Sequence, residues 1–207
     1  MLGVRGLTKG FGGRTVLAEL DLDVAAGEVV ALVGPNGVGK STALRCVVGA
    51  ETPDDGEVRL GEHLLDTRVP QTRRALCTVL GDLGVLPELT VAEHLDLLAR
   101  AHDVKGAEEV VDGALDEARI DHVADQLPST LSSGQAQRFA LATAMVRPWA
   151  LLVADEPEQR LDDAGRAWLG AWLAGHAAAG RAVLLACHDP EVVRASGARV
   201  VTLGEDG

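Results

Sequence analysis

The eight residues Gly34-Pro35-Asn36-Gly37-Val38-Gly39-Lys40-Ser41 fit the pattern G-x-x-x-x-G-K-[ST], between an apolar run, Val29 to Val33, and a helical run, Ser41 to Val48. Each residue type has a task in that pattern. Glycines let successive backbone N–H groups converge on a phosphate, and a helix start adds partial positive charge. The Lys40 ammonium reaches the outer phosphates and the Ser41 hydroxyl suits a Mg²⁺ ligand. The lysine is informative because the chain holds only three, Lys9, Lys40 and Lys105, against sixteen arginines. A compact ammonium fits inside a tight loop where a planar guanidinium does not.

Two further stretches carry chemistry. Leu151-Leu152-Val153-Ala154-Asp155-Glu156-Pro157 is an apolar strand that delivers two acids at its carboxyl end, the edge where open α/β sheets hold ligands. Asp155 suits holding Mg²⁺ through its water shell, and Glu156 suits polarising or deprotonating a water aimed at a terminal phosphate. Taken alone, the pair also reads as an acidic turn stopped by Pro157. Leu131-Ser132-Ser133-Gly134-Gln135 sets a good N-cap, Ser132, ahead of a helical run from Gln135 to Val146. A hydroxyl and free N–H groups at a positive helix end make a second anion site.

The elements that must position these groups are legible in the periodicity. Strand, loop and helix around Val29 to Val48 form half of a βαβ unit. Ahead of it, Leu2 to Leu7 and Val16 to Val24 read as strands punctuated by Gly10, Gly12, Gly13 and the Ala25-Ala26-Gly27 turn, and Glu57 to Leu60 adds another after Pro53-Asp54-Asp55-Gly56. These predict a small antiparallel lobe. From about Val91 to Arg147 the spacing turns helical, with Val91, Leu95 and Leu98 on one face and Val110, Val111, Ala114 and Leu115 on another, as in an inserted helical lobe. Strands return at Ala150 to Ala154, Ala182 to Ala186 and Arg199 to Leu203, with a helix from Asp163 to Ala179.

Composition narrows the partners. In 207 residues, 47% are hydrophobic but only 2% aromatic, so the core is aliphatic, as suits a parallel sheet covered by helices. A formal charge of −12 repels phosphate backbones and anionic lipid, which opposes nucleic acid as the main partner. Cys46, Cys77 and Cys187 are odd in number and set mostly among apolar neighbours, as expected of reduced cysteines. No apolar run is long enough to span a bilayer and no signal segment opens the chain, so a membrane role must run through a partner.

Leu131 to Gln135, followed by Ala136-Gln137-Arg138, closely resembles the LSGGQ signature of the ATP-binding cassette (ABC) ATPases, and with the other two motifs the resemblance covers essentially the full chain. It implies an α/β P-loop NTPase of the ABC-ATPase fold: a RecA-like parallel-sheet core, a small antiparallel β-lobe and an inserted α-helical lobe. Residues 1–207 are then a single ABC ATPase domain, with 1–85 and 148–207 as nucleotide-binding core plus β-lobe and 86–147 as the helical signature lobe. Two such subunits, as homodimer or heterodimer, pair head to tail and sandwich ATP between the phosphate loop of one and the signature of the other. ATP and Mg²⁺ are the implied cofactors, a separate transmembrane permease the implied partner, and the cytoplasmic face of the cell membrane the implied location.

Carried over residue by residue, the resemblance places nucleotide contacts at Phe11, Val16, Gly34, Pro35, Asn36, Gly37, Val38, Gly39, Lys40, Ser41 and Thr42. From the facing subunit come Ser132, Ser133, Gly134, Gln135 and Asp162 of Leu161-Asp162. Phe11 falls where the family stacks an aromatic on adenine, core packing being its other reading. Metal contacts fall to Ser41 and Asp155, and catalysis to Glu156, Lys40 and His188, the last matching a switch histidine that meets the γ-phosphate.

Three positions depart from the pattern. Gly81 stands where the family carries a glutamine that touches Mg²⁺ and couples to the transporter; no glutamine occurs from Thr72 to Asp125, and either Asp82 or a water takes its place. Ser133 replaces a glycine of the signature, and Glu158 replaces a small hydroxyl residue, adding negative charge near the site. The implied activity is ATP hydrolysis driving transport, exporter-type because the chain ends soon after His188 with no appended domain expected. The alternatives are an ATP-gated switch of weak hydrolysis and a soluble ABC ATPase outside transport.

Overall fold

The computed structural model describes residues 1–81 and 84–204. Among the described residues, nine strands run in chain order: β1 (Leu2–Phe11), β2 (Arg14–Val24), β3 (Val29–Val33), β4 (Asp55–Leu60), β5 (His63–Leu64), β6 (Leu76–Leu80), β7 (Leu151–Asp155), β8 (Ala182–Ala186) and β9 (Arg199–Thr202). The described residues also form seven α-helices: α1 (Lys40–Val47), α2 (Pro70–Ala75), α3 (Val91–Ala101), α4 (Ala107–Glu117), α5 (Ser133–Met145), α6 (Asp163–Ala178) and α7 (Pro190–Ala195). Strands β6-β7-β8-β3-β9 form a parallel sheet, and β2-β1-β4-β5 a separate antiparallel one.

The parallel sheet explains the short all-apolar runs in the sequence. Val30, Leu32, Leu151, Val153, Ala182, Leu184 and Ala186 face one cluster, shared with α1 and the antiparallel lobe. Their neighbours Val29, Ala31, Leu152, Ala154, Val183 and Leu185 face another, covered by α6 and part of α5. With both faces buried, alternation disappears from the sequence. A third cluster, from Val91 to Val146, joins α3, α4 and the inner face of α5 around Phe139.

The differences from the sequence reading have local causes. Strand β1 runs on to Phe11, past the expected end at Leu7, because Gly10 and Phe11 pair with Thr15 and Arg14 across a Gly12-Gly13 turn with positive φ at both residues. Helices α2 and α7 were not expected; six residues starting at a proline are too few to show a period. Strand β6, which ends just before Gly81, borders the sheet. Asp82 lies outside the described residues.

One half-buried histidine makes the fold acid-sensitive. His176 is wedged edge-on between Trp149 and Trp172, at 4.8 and 4.4 Å between centroids, with Arg181 at 3.1 Å from its Nδ1. Burial, then the Arg181 charge, lowers its pKa from 6.5 to about 4, and burial also lowers His94 and His102. Between those values the unfolded chain binds a proton that the folded one refuses, so stability is full above about 6.5 and falls as pH drops towards 4. Urea midpoints at pH 7.5 and pH 5 will show this loss, and His176→Phe will shrink it; an unchanged pH dependence in the variant would refute the assignment to His176.

Candidate functional site

The chain leaves β3 at Gly34, where φ is +144° and a Cβ would stand 2.5 Å from the Leu203 carbonyl oxygen, so only glycine lets the backbone pass. Pro35, Asn36 and Gly37 form an exposed crest, and Val38 turns back against the core. Gly39, at φ +110°, is the N-cap of α1; a Cβ there would meet Val16 O at 3.0 Å, so Val16 braces the loop. No side chain caps α1 and no acid sits in its first turn. By helix geometry the N–H groups of Gly39, Lys40, Ser41 and Thr42 have no intrahelical acceptor, which makes this end an anion site.

Lys40 is buried, and its Nζ donates to Gly34 O at 2.8 Å and Pro35 O at 3.0 Å. Two of three ammonium protons thus hold the loop and one remains for an anion. Phe11 is 50% exposed, which removes core packing as its reading. The Lys9 ammonium stands 5.2 Å from the Phe11 ring and is itself held by Thr52 O at 2.7 Å, Glu51 at 3.1 Å and Asp54 at 3.2 Å. Lysine rarity therefore marks two buried cations, of which only one belongs to the phosphate loop.

Strands β7 and β8 bring the acids and the histidine to the same edge as the loop, because β8 lies between β7 and β3. Asp155 Oδ1 is buried without a hydrogen-bond partner among the described residues. A buried carboxylate oxygen without a donor fits a hard cation or its water, and Ser41 offers a second oxygen ligand. Glu156 takes a strained φ of +48°, its N–H donates to Ala186 O at 2.9 Å, and its Oε1 lies 3.0 Å from His188 Nε2. Glu158 is buried, and its Oε1 accepts the His188 N–H at 2.7 Å. The sequence flagged this carboxylate only as added charge; nothing in the spacing showed that it meets position 188.

At the second anion site, Ser132 is the N-cap of α5 in a reciprocal box: its hydroxyl accepts the Gln135 N–H at 3.3 Å, and Gln135 Oε1 accepts the Ser132 N–H at 2.8 Å. Gln135 is thus spent on the cap, while Ser133 and Gly134 contribute the open N–H groups of the first turn. Asp162 caps α6 through the Gly165 N–H at 2.9 Å and pairs with Arg138 at 3.1 Å. Those bonds hold its carboxyl below the usual range. Gln137 donates to Pro157 O at 3.0 Å, so the start of α5 is stitched to the loop that carries Glu156.

The model of the ABC transporter family matches residues 17–159. The chain belongs to that family. A relative in Mesorhizobium japonicum, an Fe(3+) ions import ATP-binding protein, is 37% identical over 98% of this chain and 57% of its own length. The SkfA peptide export ATP-binding protein of Bacillus subtilis is 33% identical over 98% of this chain and 85% of its own. A dimeric ATP-binding cassette solved in a post-hydrolysis state bound to ADP and Pi superposes with a TM-score of 0.87 at 28% identity, covering 98% of this chain and 94% of that one. The chain spans about half the length of several curated relatives, 44% of a Marinobacter nauticus spermidine/putrescine import protein among them. The ABC fold, with its parallel sheet, antiparallel lobe and helices, is therefore the one observed.

Of the ABC departures, Gly81 follows β6 directly, beside the β7 terminus where Leu80 pairs with Asp155, at φ +53° and with open space around it. Strain and contact separate the loop glycines. Gly34→Ala meets a backbone carbonyl and should cost about 2 kcal/mol or more, whereas Gly37→Ala, with nothing within 4 Å, should cost only about 1 kcal/mol of left-handed strain. Denaturant melts check the order; equal losses would mean that the Leu203 carbonyl yields.

Proposed function

We propose that this chain is the ATP-binding and ATP-hydrolysing subunit of an ABC membrane transporter, working as a head-to-tail dimer that drives a separate transmembrane subunit from the cytoplasmic face. The supporting observation is the meeting, at the carboxyl edge of β3, β7 and β8, of an anion-binding loop with the Glu156–His188 pair at 3.0 Å. Lys40 and the N–H groups of Gly39 to Thr42 hold the triphosphate, and Phe11 takes the adenine face. Ser41 and Asp155 would hold Mg²⁺, which supplies charge neutralisation on the phosphates when bound. Glu156 receives the proton of the attacking water, and His188 steadies that carboxylate and faces the terminal phosphate. Ser132, Ser133 and Gly134 of the facing subunit complete the pocket, with Asp162 at the crossing.

One observation supports a membrane partner. A cleft of about 910 Å³ between α1, α2 and the end of α3 is lined by Arg45, Arg73, Arg74, His102 and Arg147, a basic surface on a chain of charge −12 that suits a partner bearing acids. Export is proposed on the likeness over 85% of the peptide export relative's length, although the import relative is more identical in sequence, 37% against 33%. The reading of a weakly hydrolysing switch draws on Gly81, which offers no side chain beside Asp155.

Calorimetry should detect MgATP binding that Lys40→Ala abolishes; silence from the unaltered chain at millimolar nucleotide would end the nucleotide reading. Glu156→Gln should lower phosphate release by about 10²- to 10⁴-fold while trapping an ATP-dependent dimer in sizing runs. A Glu156→Gln protein that stays monomeric with saturating MgATP would argue against the homodimer. Tight binding with no release from either form would favour the switch.

A further inference from the structure

The loop that carries Glu156 and the loop that carries His188 are joined by three bonds. Glu156 N–H donates to Ala186 O at 2.9 Å, Glu156 Oε1 lies 3.0 Å from His188 Nε2, and Glu158 Oε1 accepts the His188 N–H at 2.7 Å. The first fixes the exit of β8 and the second is made by the reacting groups themselves. Only the third grips the backbone of residue 188. His188 is otherwise placed at the surface, its side chain 40% exposed, between the buried Cys187 and the α7 cap Asp189. Its imidazole direction is set where its backbone is held.

Burying a carboxylate is unfavourable unless its bonds compensate. Glu158 is 6% exposed, and its second oxygen has no partner among the described residues. What it gains, beside the Cys187 thiol, is a short, charge-assisted bond to a backbone N–H, of the stronger class. A residue kept only for packing would fill this place better as an apolar side chain. The bond also spans 30 residues, linking the two loops that deliver the site.

We propose that Glu158 is a positioning residue for hydrolysis: by holding the His188 N–H it sets the imidazole against Glu156, and so governs turnover and not nucleotide affinity. This rests on the hydrolytic reading above. The hydrogen bond needs an acceptor oxygen at that reach, not a charge, so an amide replaces it and a thioether of similar shape does not.

The test measures ATP turnover and ATP binding for E158Q, E158M, H188A and E158M/H188A, with thermal melts confirming that each is folded. E158M should lose about tenfold in kcat with KM for ATP within about twofold, and E158Q should recover most of that rate. In the H188A background, E158M should cause no further loss, because the residue acts through His188. A wild-type kcat in E158M, an E158Q as slow as E158M, or full additivity with H188A would each overturn the proposal. A chain that binds MgATP without turnover would defeat the hydrolytic reading alone. In that case ¹⁵N-imidazole spectra decide: His188 ring resonances should move in E158M and stay near wild type in E158Q, and an unmoved His188 in E158M overturns the positioning role. If E158M does not fold, E158A takes its place in every arm.

Discussion

The ammonium of Lys40, held inside a loop by the carbonyls of Gly34 and Pro35, is the contact on which the site depends. A chain of net charge −12 cannot attract a polyphosphate by its overall field, so attraction must be local and short-ranged. Backbone N–H groups and one buried cation supply it at α1, and the geometry that aims them rests on glycines with no room for a side chain. Gly34 presses on Leu203 O and Gly39 on Val16 O. The loop's shape is thus fixed by neighbours on β2 and just past β9, and the anion site exists only because the strands around it are assembled.

Strand order does the rest of the assembly. Since β8 separates β7 from β3, the loops following the three strands crowd one edge, and residues about 120 positions apart in sequence become neighbours. Burial on both faces locks that order, as each strand contributes alternate side chains to two clusters. The price of the tight edge is local strain: Glu156 sits at φ +48°, tolerated because its N–H, its carboxylate and the following turn are all bonded.

The sequence made the chemistry legible more readily than the architecture around it. The phosphate loop, the strand ending in Asp155 and Glu156, and the capped helix at Ser132 are contiguous patterns whose function depends on backbone geometry, which local spacing encodes. Strands β3 and β8 were read with their observed bounds because a buried parallel strand is an uninterrupted apolar run. The short helices α2 and α7 were not, being too brief to show a period, and the end of β1 was hidden by glycines that the hairpin pairing overrides. Long-range ties left no trace either. The Lys9 cradle beneath Phe11 joins residues 42 to 45 positions apart and the Glu158 bond to His188 residues 30 apart, and a lone lysine or glutamate carries no sign of where it will be buried.

The missing side chain at Gly81 shifts attention to the other joints between the helices and the core. Arg147, just beyond α5, donates to Arg73 O at 2.8 Å and Leu76 O at 2.9 Å, anchoring the far end of that helix to the start of β6. At its near end, Gln137 holds Pro157 O and Arg138 holds Asp162, the two sides of the turn that follows Glu156. Helix α5 therefore cannot rotate on the sheet without breaking these bonds or dragging the Glu156-to-Asp162 turn along. Breaking them would leave the partly buried Arg138 with the Ala118 carbonyl but no carboxylate, and the Pro157 carbonyl without its donor, each a loss of order 1 kcal/mol or more. The less costly path is for turn and helix to move together, which ties the signature N–H groups of α5 to the carboxylate at 156 through the side chains of Gln137 and Arg138.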